Sequence, residues 1–491
     1  MQLYNTLTRS KEVFQPLTPG KVGLYACGVT VYDDCHLGHA RSTVAFEVMV
    51  RYLRHRGFEV TWVRNFTDID DKIIRRAQEL GMSWQEVAER YIASFQDDMA
   101  ALGVPPAQME PRATQHLPEI IHLIRRLEDK GFAYRGGADV FFRVRRFPGY
   151  GKLSGQSLED MRAGARVEVD PHKEDPLDFV LWKWSKPGEP TWDSPWGPGR
   201  PGWHIECSAM GMYYLGESID LHGGGQDLVF PHHENEIAQS EAATGLPFVR
   251  YWLHHGLLTI DQEKMSKSLK NFFTVKEVLA RFPAEVVRFF LINCHYRSPL
   301  DFSDQALAEA ETALLRLYTT LARLQDLLVS YPKIIPPAPA DFSAAVLTAK
   351  EMARLRALRA RFEAAMDDDL NTAQALGYLF EAVRFTNRLL ENPSTEPPYL
   401  AFLKEVHHDL ASLGRVLNLL QADPQDMVAH LRQKAADLKI SPAEIEKLIN
   451  ARNQARQNKD YAQADNIRKQ LAELNITLED TPQGTVWRVK G

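Results

Sequence analysis

Apolar and polar positions in the first part of the chain follow two alternating periods. Residues 22–26 form a short apolar run that ends in a glycine-bearing loop, and residues 40–53 repeat apolar side chains with the period of a helix. Gly57 ends this pattern, and residues 60–65 alternate with β-branched side chains, as strands do. The order predicts a strand, helix, strand unit of a parallel, doubly wound sheet, where ligands lie at the carboxyl ends of the strands.

The pattern changes twice further along the chain. Residues 113–202 are less regular and end in a stretch rich in Pro, Gly and Trp, which suits an insertion between two half-sheets, and the sheet is expected to resume at residues 219–222. After residue 305, long segments with the 3.6-residue period, such as 307–329 and 344–366, predict a helical bundle with a Pro-rich connector at 334–339.

These changes predict the α/β fold class and three domains. A Rossmann-like catalytic domain is expected over residues 1–304, with its insertion at about 113–202. A helical domain follows over residues 305–422. A small C-terminal domain covers residues 423–491 and ends in a strand-like tail at 476–489.

Composition fits a soluble enzyme. The chain has 491 residues, of which 44% are hydrophobic. No apolar run approaches the roughly 20 residues that cross a bilayer, and the first residues lack a cationic stretch followed by an apolar one. We therefore expect a cytoplasmic protein with no membrane partner. The net charge is −6, so a nucleic-acid surface would have to be a local patch.

The motif HLGH, at residues 36–39, lies where the first helix is predicted to begin. Gly38 lets the backbone approach a nucleotide, and the imidazoles of His36 and His39 can donate to phosphate oxygens on which negative charge grows. Paired histidines are more often core or surface residues, so this motif alone is a weak signal. Its chemistry predicts catalytic residues of a reaction that uses ATP.

A second polar motif, KMSKS at residues 264–268, complements the first. Lys264 and Lys267 would supply cations to the β- and γ-phosphates of a departing pyrophosphate. Lysines with serines are usually a solvated loop. Both motifs in this order, with a strand, helix, strand unit around the first, favour ATP chemistry over that simpler interpretation.

The spacing of cysteine, histidine and glutamate residues indicates a metal site. Four scattered cysteines are too few for a disulfide framework in a chain of this length. Cys27, Cys207, His232 and Glu236 would provide two thiolates, an imidazole and a carboxylate, a ligand set that zinc accepts. His233 could replace His232, because it lies three residues before Glu236. The cysteines could also be small buried residues.

HLGH and KMSKS together resemble the two signatures of class I aminoacyl-tRNA synthetases, with Leu37 in place of the usual isoleucine. Longer segments are similar to successive blocks of the bacterial cysteinyl-tRNA synthetase family: LYACGVTVYDDCHLGHAR, NFTDIDDKI, PGWHIECSAMG, HGGGQDLVFPHHENEIAQSE and KMSKSLKNF. They span residues 24–272, and DTPQGTVWR at 480–488 extends the similarity. The resemblance implies ATP-dependent ligation of L-cysteine to tRNA(Cys) through a cysteinyl-adenylate, with Mg²⁺ accompanying ATP.

The resemblance also implies roles for individual residues. Those matching the family's zinc ligands would hold one Zn²⁺ per chain, with the substrate thiolate as a further ligand: Cys27, Cys207, His232 and Glu236. Those matching ATP contacts are Gly38, Gly224, Gly225, Asp227 and Lys267, although the glycine run could be only a tight turn. Thr67 and Trp203 match positions near the amino acid, although a buried tryptophan is more often plain core.

The helical region resembles the anticodon-binding part of the same family, most clearly in MDDDLNT at residues 366–372. The expected partners are therefore L-cysteine, ATP and tRNA(Cys), and the chain is expected to be a monomer.

Two other functions fit parts of the sequence. One is a ligase that joins cysteine to an aminosugar–inositol acceptor, and the other is a non-catalytic synthetase-like protein that binds tRNA or zinc.

Overall fold

The computed structural model describes residues 1–164, 171–260, 263–264, 272–331, 342–437, 442–458, 460–474, 476–481 and 484–489. The strands are β1 (Gln2–Asn5), β2 (Ser10–Val13), β3 (Lys21–Thr30), β4 (Glu59–Thr67), β5 (Ala133–Gly136), β6 (Asp139–Phe142), β7 (Phe179–Trp184), β8 (Gly199–Pro201), β9 (Ile219–Gly225), β10 (Val249–His255), β11 (Leu258–Ile260), β12 (Glu263–Lys264), β13 (Leu300–Phe302), β14 (Ile476–Thr481) and β15 (Gly484–Val489).

The α-helices are α1 (Leu37–His55), α2 (Asp71–Leu80), α3 (Trp84–Ala101), α4 (Leu117–Asp129), α5 (Leu158–Gly164), α6 (Trp203–Leu215), α7 (Glu234–Thr244), α8 (Val275–Leu279), α9 (Ala284–Ile292), α10 (Asp304–Val329), α11 (Ala349–Arg356), α12 (Leu358–Asp367), α13 (Thr372–Leu389), α14 (Pro397–Val416), α15 (Pro424–Asp437), α16 (Pro442–Gln457) and α17 (Tyr461–Glu473).

A parallel four-stranded sheet with the order β10-β9-β3-β4 forms the centre of the first half of the chain. Side chains alternate between its two faces, as a strand requires. Leu24 packs with α1 in one buried core, whereas Tyr25 packs with Cys207 of α6 and Ile237 of α7 in another. Helices therefore cover both faces, and the prediction of a doubly wound, Rossmann-like sheet is confirmed.

The insertion contains more regular structure than its sequence pattern predicts. Strands β5 to β8 form an antiparallel sheet, and α4 packs against them in a separate core that includes Ile124, Phe142 and Trp182. These strands are short and carry little alternation, so the sequence gives a weak strand signal.

The helical part is built as predicted, with one difference. The segment 344–366 was expected to be one helix, but α11 ends at Arg356 and α12 begins at Leu358. No Gly or Pro marks this break, and Ala357 instead leaves helical geometry with φ −85° and ψ 11°. Leu355 and Leu358, on either side, are both buried in the core. Packing therefore outweighs helical propensity here. The predicted connector at 334–339 lies outside the described residues.

One buried core is continuous from Leu3 of β1 to Leu431 of α15. It therefore spans both the sheet and the helices that follow it. A further small core near the end joins α16, α17 and the β14-β15 hairpin through residues that include Ile445, Leu471 and Trp487. The exact domain boundaries remain a prediction.

Candidate active site and metal centre

A cavity of about 330 Å³ opens at the carboxyl ends of the central strands. It is lined by the end of β3, the first turn of α1 and the residues that follow β9. Residues from several predicted groups meet there: Cys27, His36, Gly38, His39, Gly225 and Asp227. Three candidate ATP-binding residues, Gly38, Gly225 and Asp227, therefore share one cavity with the HLGH histidines and one candidate metal ligand.

The HLGH motif forms the start of α1. His36 is the N-cap, where its Nδ1 accepts from the Gly38 N–H at 3.1 Å, while the His36 N–H points to Nδ1 of His39 at 3.4 Å. The two imidazoles are stacked, with ring centroids 3.7 Å apart. A Cβ on Gly38 would lie 2.9 Å from the His36 ring. Glycine is thus required here for the packing of the rings as well as for access to the backbone.

On the other side of the sheet, four side chains from distant segments converge. The candidate ligand atoms of Cys27, Cys207, His232 and Glu236 all lie within 4.8 Å of one another. Cys27 Sγ is 3.8 Å from Cys207 Sγ, and His232 Nε2 is 3.0 Å from Glu236 Oε1. A tetrahedral site with metal–sulfur distances of about 2.3 Å would separate two sulfurs by about 3.8 Å. The donor set and its spacing therefore fit a metal ion.

A second group overlaps the first and was only partly anticipated from the sequence. It consists of Cys27, Glu236, His222 and His233, whose candidate ligand atoms all lie within 4.8 Å of one another. His233 Nε2 is 3.3 Å from Cys27 Sγ, and His222 Nε2 is 2.8 Å from Glu236 Oε2. The choice between His232 and His233 thus stays open on distance alone. His222 was missed, and its only signal is its position near the carboxyl end of β9.

Electrostatics inside the first group favour a cation among negative donors. The hydrogen bond from Cys27 lowers the pKa of Cys207 to about 6 in spite of burial. Burial raises the pKa of the Cys27 thiol. Burial opposes the charges of Glu236 and His232, but their neighbours outweigh it: His222 and His232 lower the pKa of Glu236 to about 2, and Glu236 with Cys207 raises that of His232 to about 10. These shifts favour a positive charge among the negative donors, which is the charge that a metal ion would supply.

The two candidate cysteine-binding residues lie in different surroundings. Trp203 begins α6 and stacks on His232, with ring centroids 4.2 Å apart. Its ring is partly exposed and covers one side of the metal group. Thr67 ends β4 and is buried, and its hydroxyl donates to Glu206 Oε2 at 3.2 Å. Of these two residues, Trp203 is the one that stacks on a candidate metal ligand.

The glycine run forms the end of β9 and lies in close contact with the side chains that follow it. A Cβ on Gly224 would lie 2.7 Å from Leu228 Cδ1, and one on Gly225 would lie 2.5 Å from Asp227 Oδ1. Asp227 itself lines the cavity next to the HLGH turn. Gly225 therefore leaves room for the Asp227 carboxylate at the cavity wall, and a role of the run in ATP binding stays a prediction.

The KMSKS motif is described only in part. The backbone of Lys264 lies in β12 and pairs with Thr259 of β11, whereas Lys267 lies outside the described residues. Just after the motif, the Phe273 carbonyl accepts from the Leu37 N–H at 3.2 Å, and Thr274 bridges to His36. The described residues that follow the motif therefore contact the HLGH turn.

Comparisons with known proteins agree with this arrangement. Residues 13–312 match the family model "tRNA synthetases class I (C) catalytic domain", residues 361–421 match "DALR domain", and residues 441–488 match "Cysteinyl-tRNA ligase anticodon binding domain". The chain is 54% identical to a "Cysteine--tRNA ligase" of Geobacter sp. (strain M21), with 100% of each chain covered. It is 54% identical to the same-named protein of Syntrophobacter fumaroxidans, covering 100% of this chain and 99% of the relative.

Among solved structures, the fold is similar to that of Mycobacterium tuberculosis methionyl-tRNA synthetase in complex with methionyl-adenylate. The TM-score is 0.64 at 18% identity, over 86% of this chain and 95% of the other. This likeness concerns the fold alone. Among the described residues, none of the helices has the length and apolar character needed to span a membrane.

Proposed function

The chain belongs to the cysteine--tRNA ligase family, and from this premise we propose that it joins L-cysteine to tRNA(Cys) in two steps, through a cysteinyl-adenylate formed from ATP. One observation carries the proposal: a buried group of two thiols, an imidazole and a carboxylate shares its Cys27 with the cavity that the HLGH turn opens into. A thiol-selective group beside an ATP site is what cysteine activation requires.

In the first step, the cysteine carboxylate attacks the α-phosphate of ATP. His36 and His39 stand at the positive end of α1 and would donate to the phosphate oxygens as charge grows on them. Gly38 leaves room for this approach, and Asp227 would accept from the ribose hydroxyls. Lys264 and Lys267, with Mg²⁺ bound to ATP, would neutralise the departing pyrophosphate.

Selection of cysteine is assigned to zinc, one ion per chain, held by Cys27, Cys207, His232 and Glu236. Their sulfur spacing and mixed donor set fit this metal. When bound, zinc stabilises a substrate thiolate far better than a serine hydroxyl, which gives up its proton less readily. Trp203 would cover the site from one side, and Thr67 would contribute to the amino acid pocket. Pocket shape alone discriminates by only roughly 1–3 kcal/mol.

Binding of tRNA is assigned to the helical region and the C-terminal unit, whereas transfer of the cysteinyl group takes place in the active-site cavity where the adenylate forms. The unit formed by α16, α17 and the terminal hairpin corresponds to the part of the chain that matches an anticodon-binding family model. Both motifs and all four proposed ligands come from a single chain, so we propose that the monomer is complete. Because charged tRNA is used in translation, we propose that the protein works in the cytoplasm.

The two alternative functions are less well supported. A ligase for an aminosugar–inositol acceptor would not need the C-terminal region, yet the similarity to cysteine--tRNA ligases extends over 100% of the chain. A non-catalytic binding protein would have no need for an intact HLGH turn beside a cavity. We therefore retain tRNA charging as the function.

The proposal is tested by ATP–pyrophosphate exchange with cysteine and with serine, on zinc-loaded protein and on protein stripped of metal by a chelator. We expect exchange with cysteine only, and loss of exchange on metal removal that zinc restores. Full activity of the stripped protein, or comparable exchange with serine, would contradict the proposed selection.

A further inference from the structure

A second large cavity, of about 510 Å³, lies between the sheet domain and the helices that follow it. Its walls come from the second half of α1, the loop before residue 109, and helices α12 and α14. Its arginines are far from the HLGH turn, because 14 to 17 helical residues separate Leu37 from Arg51 and Arg54, although Trp62 lines both cavities. At 1.5 Å per residue this is roughly 20 to 25 Å.

Arginine dominates the charged lining of this cavity. Four guanidinium groups line it, those of Arg51, Arg54, Arg359 and Arg415, against one carboxylate, that of Glu47. Glu47 is already neutralised, because it pairs with Arg51 and with the buried Arg288. The other titratable lining residue, His55, pairs with Glu363 at 2.9 Å.

Two of the four arginines have no carboxylate partner among the described residues. Arg54 donates only to the Val60 carbonyl at 3.3 Å, and no described group accepts from the Arg415 guanidinium. Arg359 by contrast pairs with Asp409 at 2.6 Å. The cavity therefore carries a positive excess that the chain itself does not balance, and guanidinium groups suit phosphate oxygens.

The floor of the cavity is apolar. Its apolar lining residues are Val50 of α1, Trp62 of β4, Val416 of α14, Pro105 and Pro106, of which the two prolines are exposed. A ligand that fits must combine an apolar planar or ring-shaped part with anionic groups. A nucleotide has this combination, since its base can lie on an apolar surface while its phosphates reach arginine.

We propose that this cavity binds a nucleotide through its phosphate groups, either a nucleotide of an RNA backbone or a free nucleoside phosphate. The four arginines are not part of the proposed ATP site. For a free nucleoside phosphate the inference goes beyond the proposed function, and for RNA it rests on that function. Both sources present the same chemistry to Arg54 and Arg415, so the site is defined by phosphate recognition.

The test uses the full chain with both Arg54→Gln and Arg415→Gln, which remove two exposed charges and keep the side-chain length. The matched control is Arg384→Gln, an exposed arginine of α13 that does not line the cavity. Inorganic tripolyphosphate is titrated by calorimetry with the active site filled by a stable cysteinyl-adenylate analogue, and hydrogen exchange locates its binding. Binding of a tRNA(Cys) transcript is measured against salt in parallel. Neither measurement needs turnover.

We expect tripolyphosphate to protect the amides of residues 50–56 and 412–416 in the unaltered chain and the control, and to bind roughly tenfold more weakly for each arginine removed. That result assigns the site to free phosphates. A weaker tRNA affinity, with a salt slope smaller by roughly 0.7 to 0.9 per lost contact, assigns it to RNA. If neither measurement separates the double variant from Arg384→Gln, the cavity is not a phosphate site.

Discussion

At the scale of single residues, we propose that the two sulfurs of the metal group select the amino acid that the site accepts. Cys207 is buried and carries the lower pKa of the pair, whereas Cys27 lines the active-site cavity. The metal group is therefore accessible from the cavity on the side of Cys27. A metal held there would meet a substrate thiol entering from the cavity.

Cys207→Ser should therefore weaken both metal retention and cysteine activation, because an oxygen replaces the soft thiolate that zinc prefers. We expect less than one zinc per chain by atomic absorption and a fall of exchange activity by at least about tenfold. Cys294→Ser is the control, since Cys294 is outside the metal group and its sulfur accepts from Arg41 at 3.5 Å. Equal zinc content in the two variants would remove Cys207 from the ligand set.

Spacing along the chain predicted these ligands only in part. His232 and Glu236, four residues apart, could be paired from sequence because they fall on one face of a helical turn. Their contact with Cys27 depends on strand order, which the spacing does not contain. His222 was missed because a lone histidine on an apolar strand is more often a core residue than a ligand.

At the scale of elements, α1 connects the chemistry to the rest of the molecule. Its first turn carries HLGH, and its second half carries Glu47 and Tyr52, which bond to α9 and α12. Sequence periodicity was sufficient to predict this helix and its flanking strands. The break between α11 and α12 was not predictable, because only packing of the folded chain distinguishes Ala357 from its neighbours.

Gly38→Ala tests whether the His36 ring must sit where it does. The added Cβ would lie 2.9 Å from that ring, so the ring must move and its bond to the Gly38 N–H is lost. We expect adenylation to fall by roughly tenfold or more, about 1.4 kcal/mol of barrier. Stability should change by less than about 1 kcal/mol, since alanine's helix propensity offsets the weakened cap.

The control for this variant is Gly377→Ala in α13, where a Cβ would meet nothing within 4 Å. Here alanine should stabilise the chain by about 0.5–1 kcal/mol and leave adenylation unchanged. Denaturant unfolding and exchange rates measure the two effects separately. Normal adenylation in Gly38→Ala would show that the ring position does not matter to the reaction.

The buried pair Arg288–Glu47 should hold α1, α9 and the end of α14 together. Arg288 also donates to the Leu417 carbonyl at 2.9 Å, and both charged side chains are 1% exposed. Arg288→Met leaves the Glu47 charge with less compensation, at an expected cost of roughly 3–5 kcal/mol in urea unfolding. Adding Glu47→Gln should recover part of this loss. An effect below about 1 kcal/mol, typical of an exposed pair, would contradict the role assigned to this contact.

At the scale of the whole molecule, one core joins the sheet to the helices, while the end of the chain has a core of its own. The sequence predicted the change from sheet to helices at about residue 305, but not that apolar side chains pack across it. Such packing is invisible to local periodicity because the core joins residues hundreds of positions apart, such as Tyr52 and Phe362.

Removing residues 438–491 should therefore separate two activities. The cut spares the continuous core and the active-site cavity, so pyrophosphate exchange with cysteine should persist within about twofold, while charging of tRNA falls through a raised KM for tRNA. A cut after Asp304 is the contrast, because it removes much of the continuous core, and we expect it to unfold. A chain ending at Asp437 that charges tRNA normally would show that the C-terminal unit does not bind tRNA.

The proposal that the protein joins cysteine to tRNA(Cys) is tested most directly by charging, with purified full-length protein, ATP, radiolabelled cysteine and a tRNA(Cys) transcript. We predict cysteine on the tRNA, none when serine replaces cysteine, and none on an aminosugar–inositol acceptor supplied instead of tRNA. If the protein exchanges pyrophosphate with cysteine but transfers cysteine to the aminosugar and not to tRNA, then tRNA is not its acceptor.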